Sequence, residues 1–215
     1  MTQKDRFLKV GLTGSIGSGK SEVRRMLEQM GALTLDADHI SREITAPGTE
    51  ALEKIVEVWG EKILNKDGGL NRGRLAEIVF DSEEETERLN SILHPYIIER
   101  ENELIENIES TARSGIIVVE AALMIEAGSW ERFDKIALVA ADKKTRKNRM
   151  KEAKEIDDEM FNSIASRQMP DAEKIKYADY LIENNDSIED LMAKTQWLYY
   201  KLCTDLEEKA GRKNV

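Results

Sequence analysis

Residues 8–30 read LKVGLTGSIGSGKSEVRRMLEQM, and this stretch decides the fold. Its middle segment, residues 14–21, matches the pattern G-x-x-x-x-G-K-[ST] at every fixed position. An apolar run with Leu8, Val10 and Leu12 precedes the segment and predicts a short strand. Apolar residues then recur at the spacing of one helical face; they are Val23, Met26, Leu27 and Met30. The stretch therefore predicts a strand, a glycine-rich loop and a helix in succession.

A loop of this kind is suited to hold the phosphates of a nucleotide. Glycines let the backbone approach a phosphate closely, and the helix that follows directs the positive end of its dipole to the same place. Lys20 would then reach the β and γ phosphates, and the Ser21 hydroxyl would ligate Mg²⁺. The alternative is a glycine-rich turn that only joins a strand to a helix. The predicted nucleotide-binding residues are Gly14, Ser15, Ile16, Gly17, Ser18, Gly19, Lys20, Ser21 and Glu22.

The composition argues against several other classes of protein. The net charge of −10 argues against a general nucleic-acid binder, because phosphate backbones demand an excess of Lys and Arg. Cys203 is the only cysteine, so an intramolecular disulfide is excluded and a reducing, cytoplasmic compartment is predicted. No run approaches the roughly 18 apolar residues of a membrane span. With only His39, His94 and one cysteine, a His/Cys zinc site is excluded as well.

Four further apolar runs predict the remaining strands of an α/β fold. They are residues 33–36 (LTLD), 116–119 (IIVV), 135–140 (KIALVA) and 178–183 (ADYLIE). The run at 116–119 is wholly apolar, as expected for a central strand of a parallel sheet. We therefore predict a parallel five-stranded sheet flanked by helices, formed by residues 1–40 and 114–215.

Residues 41–113 show helical periodicity and no convincing strand. The clearest helical face consists of Leu52, Ile55, Val56 and Trp59. Ser82 and Glu85 have the spacing of a capping box at the start of a long helix, and Pro95 predicts a break at His94. This helical stretch is longer than an ordinary crossover connection between two parallel strands. We therefore predict a helical substrate-binding insertion at 41–113.

Two aspartates follow the predicted second strand. Ligands bind where the strands of an open α/β sheet end, so Asp36 and Asp38 are candidates to hold the waters of Mg²⁺ or to accept a proton from a substrate hydroxyl. The alternative is that one of them caps the helix that begins near His39. The insertion also carries arginines that either bind an anionic substrate or are ordinary surface charges; they are Arg42, Arg72 and Arg74.

Charged residues follow the later strands too. Glu120 and Glu126 are suited to assist Mg²⁺, although a charge at a helix N-terminus explains them equally well. Residues 143–149 (KKTRKNR) are the most basic segment of the chain. We interpret residues 143–156 as a lid, because phosphoryl transfer is accelerated by positioned positive charge and by exclusion of water. The alternative is a solvated helix face, which the neighbouring glutamates favour.

Together these motifs resemble the dephospho-coenzyme A kinase family, from Val10 to about Asn184. The glycine loop is similar to that family's phosphate loop, and the other motifs occur in the family's order and spacing. The matching segments are DAD at 36–38 followed by Arg42, LNR at 70–72, Leu89-Asn90 with His94-Pro95, Leu123 with Glu126, and Arg149, Gln168, Lys174 and Ala178-Asp179.

The resemblance implies a P-loop kinase that uses ATP and Mg²⁺ to phosphorylate the ribose 3′-hydroxyl of dephospho-CoA, the last step of coenzyme A biosynthesis. It implies that Asp38 is the general base or orients the hydroxyl, that Lys20 neutralises phosphate charge, and that Arg149 belongs to the closing lid. The implied substrate-binding residues are Asp36, Asp38, Arg42, Arg72 and His94. We also predict a cytoplasmic monomer or weak homo-oligomer without a nucleic-acid or membrane partner.

Three positions depart from the family's pattern. Glu22 stands where the family usually has threonine, Ala122 replaces a proline, and Ala153 occupies the position of a second lid arginine. Three other functions stay open: a kinase for another small hydroxylated metabolite, a GTPase-like switch, and a catalytically silent homologue. Residues 65–67 (NKD) do not have the N-K-x-D spacing that reads guanine.

Overall fold

A computed structural model of the chain describes residues 6–79, 82–154 and 156–211. The chain divides into two compact units. The first, which we call the sheet unit, comprises Met1–Leu35 and Ile108–Val215, and the second, the helical unit, comprises Asp36–Asn107. Residue 155 of the predicted lid segment lies outside the described residues.

The sheet unit is built on the predicted five-stranded parallel sheet, with strand order β2-β3-β1-β4-β5. Its strands are β1 (Phe7–Thr13), β2 (Leu33–Asp36), β3 (Gly115–Glu120), β4 (Lys135–Ala140) and β5 (Tyr180–Glu183). Strand β1 pairs in parallel with both β3 and β4. Because β1 lies in the middle of the sheet, the glycine loop that follows it emerges at the centre of the sheet's carboxyl edge.

Several helices belong to the sheet unit. They are α1 (Lys20–Gln29), α6 (Lys143–Lys154), α7 (Asp158–Ala165), α8 (Asp171–Lys174) and α9 (Ile188–Gly211). The predicted inward face of α1 is confirmed for Val23, Met26 and Leu27, which are buried with β1 and with Leu198 of α9 in one apolar cluster. Burial of this apolar surface fixes the start of α1 against the end of β1.

The helical unit has its own apolar cluster. Its helices are α2 (Ala37–Ile44), α3 (Glu50–Trp59), α4 (Arg72–Val79) and α5 (Glu83–Thr111), whose last residues belong to the sheet unit. Ile55, Trp59 and Leu75 are buried together, as their helical spacing predicts. The break predicted at His94 is wrong, because α5 continues through Pro95. The proline removes one hydrogen bond, and the packing of a 29-residue helix offsets that loss.

Only half of the predicted capping box forms at the start of α5. The Ser82 hydroxyl accepts the Glu85 N–H at 3.2 Å, as predicted. The Glu85 carboxylate instead accepts the indole N–H of Trp59 at 2.6 Å. A buried indole needs an acceptor, and this tertiary contact therefore replaces the local one.

Candidate active site

The glycine loop lies between β1 and the first residue of α1, Lys20. The first N–H groups of a helix have no partner within the helix, and with the helix dipole they form an anion-binding site. Gly19, at the N-cap position of α1, has a left-handed backbone with φ of 92°. The strand, loop and helix predicted from the sequence are all present.

The loop is packed so closely that glycine is required at Gly17. This residue has φ of 75°, and a Cβ there would lie 2.6 Å from the Arg146 carbonyl oxygen. A side chain would be strained by the backbone conformation and would collide with the backbone of α6. The loop therefore keeps its shape by contact with α6, which is about 130 residues away in the sequence.

One buried hydroxyl in the loop has no hydrogen-bond partner among the described residues. Ser18 is fully buried, yet its Oγ atom has neither donor nor acceptor there. An unsatisfied buried hydroxyl is costly. A ligand bound in the loop is one source of the missing partner.

Two side chains from a distant segment hold the first half of the loop. The Gln168 side-chain oxygen accepts the N–H of Ile16 at 2.8 Å, and Ser15 Oγ donates to Asp171 Oδ1 at 2.5 Å. Gln168 matched the family pattern in the sequence, but its contact with the loop was not predicted. The sequence gives no sign that Asp171 contacts the loop, apart from its position three residues after Gln168.

The hydroxyl predicted to ligate Mg²⁺ lies beside a buried carboxylate. Ser21 Oγ donates to Glu120 Oε1 at 2.6 Å, and Arg24 Nε donates to Glu120 Oε2 at 2.7 Å. Glu120 ends β3, and it is followed by turns rather than by a helix, so the explanation as a helix N-terminal charge is wrong. A hydroxyl and a carboxylate are oxygen ligands of the kind that Mg²⁺ accepts, so this pair fits a magnesium site.

Glu126, in contrast, has a structural partner. Its Oε1 atom lies 2.9 Å from Lys174 Nζ and accepts the Met169 N–H at 2.8 Å. Lys174 is fully buried, and it also donates to the Ala122 carbonyl oxygen at 3.0 Å. The Glu126 carboxylate thus neutralises the buried ammonium group of Lys174. Ala122, which stands where the resemblance implies a proline, accepts a further hydrogen bond through its backbone oxygen.

Truncation of Glu126 should therefore destabilise the protein strongly. In the Glu126→Ala variant the buried Lys174 loses its counter-charge, and we expect the free energy of unfolding to fall by about 3–5 kcal/mol. Urea denaturation followed by circular dichroism measures this change. The matched control is Glu131→Ala, at an exposed glutamate, for which we expect a change within about 0.5 kcal/mol. Equal stability of the two variants would contradict the assigned role of Glu126.

The two arginines of the basic segment form hydrogen bonds with other residues of the sheet unit. Arg149 donates to the backbone oxygen of Asn184 at 2.9 Å and to its Oδ1 atom at 3.2 Å. Arg146 donates to the Ala141 carbonyl oxygen at 3.0 Å, and its guanidinium group lies over the Phe161 ring. The exposed lysines Lys143 and Lys144 form the solvated part of the segment. These contacts do not decide between the two interpretations made from the sequence, and the lid stays a prediction.

Glu22, which departs from the family pattern, has a partner on its own helix. Its carboxylate lies 2.7 Å from Arg25 Nη2, in a partly exposed i,i+3 pair. Such pairs stabilise a helix only slightly. The ion pair with Arg25 gives the Glu22 carboxylate a partner within its own helix. That Glu22 belongs to the nucleotide site stays a prediction.

In the helical unit, the first of the two aspartates is a helix cap. Asp36 accepts the N–H groups of Asp38 and His39 at 2.9 and 3.2 Å, which confirms that one of the pair caps α2. Asp38 is exposed in the first turn. The Asp36 carboxylate is therefore occupied as the cap of α2, and Asp38 remains the better candidate to act on a substrate hydroxyl.

Arg72 is influenced by the charges of two other predicted substrate-binding residues, Arg42 and Asp38. The pKa of Arg72 is lowered, first by burial of its guanidinium group and then by the charge of Arg42, whereas the charge of Asp38 raises it. Arg72 also donates to the Thr45 hydroxyl at 2.7 Å. The charges of Asp38 and Arg42 thus both act on Arg72, which bonds α2 through its C-cap residue Thr45.

His94 lies on α5 and is partly buried. Burial lowers the pKa of His94 below the ordinary value for histidine, so its imidazole is neutral at pH 7. A neutral imidazole can donate or accept a hydrogen bond but does not attract a phosphate by charge. Its predicted contact with the substrate would therefore be a hydrogen bond.

Two other classes of site are absent from the described part of the chain. Residues 6–79, 82–154 and 156–211 contain no group of three or more His, Cys, Asp or Glu side chains arranged to hold a metal ion by themselves. Within the same ranges, no helix has the length and apolar character needed to cross a bilayer.

The fold and the loop define a P-loop kinase: a parallel sheet whose central strand leads through a phosphate-binding glycine loop into a helix. Comparisons with known proteins identify the family. The family model for dephospho-CoA kinase matches residues 8–190. The chain therefore belongs to the dephospho-CoA kinase family, the phosphotransferases that act on an alcohol group in the last step of coenzyme A biosynthesis.

Individual relatives agree with the family model. The chain is 34% identical to the dephospho-CoA kinase of Aquifex aeolicus, over 92% of this chain and 98% of that protein. It is 38% identical to the enzyme of Thermobifida fusca, over 94% and 100% of the two chains. Among solved structures, TT1252 from Thermus thermophilus superposes with a TM-score of 0.75 at 29% identity, covering 91% of this chain and 97% of that one.

Proposed function

We propose that this kinase transfers the γ-phosphoryl group of ATP to the ribose 3′-hydroxyl of dephospho-CoA and that Mg²⁺ is required. The observation that supports this proposal most directly is the glycine loop at the start of α1, which ends in Ser21 beside the buried Glu120. The predicted nucleotide-binding residues 14–22 are our proposal for the ATP site. Asp38, Arg42 and Arg72, with Asp36 and His94, are our proposal for the dephospho-CoA site.

Each proposed catalytic residue has a separate role. Asp38 accepts the proton of the attacking hydroxyl or orients that hydroxyl, because its carboxylate is exposed and is not the helix cap. Lys20 neutralises the charge that develops on the transferring phosphoryl group. The Ser21 hydroxyl, with Glu120 behind it, would hold Mg²⁺, which when bound neutralises charge on the β and γ oxygens.

One assay tests the proposal. Purified protein is incubated with Mg-ATP and dephospho-CoA, and the position of the phosphate in the product is determined by NMR. We expect ATP consumption that depends on dephospho-CoA and a product phosphorylated at the 3′ position. ATP consumption without dephospho-CoA would favour the switch-like alternative, another preferred acceptor would favour a different metabolite kinase, and no consumption would indicate a silent homologue.

We further propose that 143–156 is a lid and that Arg149 completes the charged environment of the phosphates when it closes. Removal of this charge in the Arg149→Ala variant is expected to lower kcat by about tenfold to a hundredfold. The Arg149→Lys variant keeps the charge but not the paired donors and should lie between the two. Steady-state kinetics measures both effects, and a wild-type rate for Arg149→Ala would leave the segment as a solvated helix.

The proposed partner and cellular location accompany the proposed function. The partner is a small molecule, dephospho-CoA, and we propose no nucleic-acid or membrane partner. We propose that the enzyme acts in the cytoplasm as a monomer or weak homo-oligomer. Size-exclusion chromatography with light scattering measures the oligomeric state over a range of protein concentrations.

A further inference from the structure

Asn184 links the basic helix α6 to the glycine loop. It directly follows β5, and its backbone N–H donates to the Ala140 carbonyl oxygen at 2.8 Å. The side chain is 4% exposed, and its Nδ2 atom donates to the carbonyl oxygen of Ser18 at 2.8 Å. Asn184 is thus a buried polar residue that bonds the backbone of the proposed ATP site, although it is not one of the loop's own residues.

The hydrogen bonds of Asn184 fix the orientation of its amide. Arg149 donates both to the Asn184 backbone oxygen and to its Oδ1 atom. Since a guanidinium group has only donors, it requires an oxygen on its side, and the Nδ2 group must then face Ser18. Arg149 therefore determines which end of the Asn184 side chain meets the loop.

The bond to Ser18 in turn orients one peptide of the loop. In a planar trans peptide the C=O and the N–H point in opposite directions. Because Asn184 holds the Ser18 carbonyl on its own side, the N–H of Gly19, in the same peptide, points away from Asn184. We take this side to be the inside of the loop. Backbone N–H groups there cradle the phosphates in loops of this pattern.

We infer that Asn184 is a positioning residue that turns the Ser18–Gly19 peptide so that the Gly19 N–H faces the β-phosphate of the nucleotide. Close packing supports this role, because a Cβ atom on Gly19 would collide with Asn184 Nδ2. Only glycine leaves room for this contact. The inference rests on the proposed function, since it requires that the loop binds ATP or ADP.

The test compares ADP and AMP as ligands. Isothermal titration calorimetry measures their Kd values for the wild-type protein, for Asn184→Ala and for Asn184→Asp, which keeps the side-chain shape but places an acceptor opposite the Ser18 carbonyl. We expect both variants to bind ADP about tenfold or more weakly, as for a lost hydrogen bond to a buried group. The Kd of AMP, which has no β-phosphate, should change much less.

The neighbouring asparagine provides a matched control. Asn185 Oδ1 accepts the N–H of Asp142 at 2.8 Å, a partner outside the loop, so Asn185→Ala should bind ADP like the wild type. Wild-type affinity of Asn184→Asp for ADP, or an equal loss for ADP and AMP, would overturn the inference. Failure of the wild-type protein itself to bind ADP would instead contradict the proposed function, and the inference with it.

Discussion

Replacement of Asp38 by asparagine is expected to lower kcat by roughly 10² to 10⁴. Asparagine keeps the size of the side chain but cannot accept a proton from the substrate hydroxyl. Asp38 is exposed in the first turn of α2, and the capping of that helix depends on Asp36 instead, so the variant should fold normally. The Kd for ATP should stay nearly unchanged, because the proposed ATP site consists of other residues.

Two measurements check the prediction for Asp38. Steady-state kinetics with saturating ATP and dephospho-CoA gives kcat, and calorimetry gives the Kd of a non-hydrolysable ATP analogue. The control is Asp67→Asn, an equivalent change at an exposed turn aspartate of the same unit that accepts the Gly69 N–H, which should leave kcat unchanged. A wild-type kcat of the Asp38→Asn variant would show that Asp38 takes no part in phosphoryl transfer.

The second large effect is expected for Lys20. The Lys20→Ala variant loses the only side-chain cation of the proposed loop residues 14–22, and we expect kcat to fall by roughly 10² to 10³. The Kd for ATP should also rise, because the ammonium group contacts the phosphates in the ground state as well as in the transition state. Both kcat and nucleotide affinity should therefore change, in contrast to the Asp38→Asn variant.

The control for Lys20→Ala is Lys176→Ala, which removes one charge at an exposed position of the same unit and should leave kcat and Kd unchanged. The same kinetic and calorimetric measurements apply. If the Lys20→Ala variant kept both wild-type values, the glycine loop would be a structural turn, which is the alternative that the sequence left open.

The elements closest to the active site were predicted well because their signals are local. The strand, loop and helix at 8–30 follow from apolar spacing and from glycines within one short stretch, and the remaining strands follow from apolar runs. The break at His94 was predicted wrongly from an equally local signal. Pro95 does disfavour a helix, but the packing of the long α5 outweighs a single lost hydrogen bond.

The sequence by itself therefore determined the strands, the glycine loop and the membership in a kinase family, because each of these is recorded in apolar runs or in short motifs along the chain. Only the tertiary structure decided what surrounds the loop. Glu120 meets Ser21 across 99 residues, Asn184 meets Ser18 across 166, and Lys174 bonds the Ala122 backbone across 52. Partners this far apart are brought together by packing of the sheet and its helices, so no periodicity or spacing in the sequence records them.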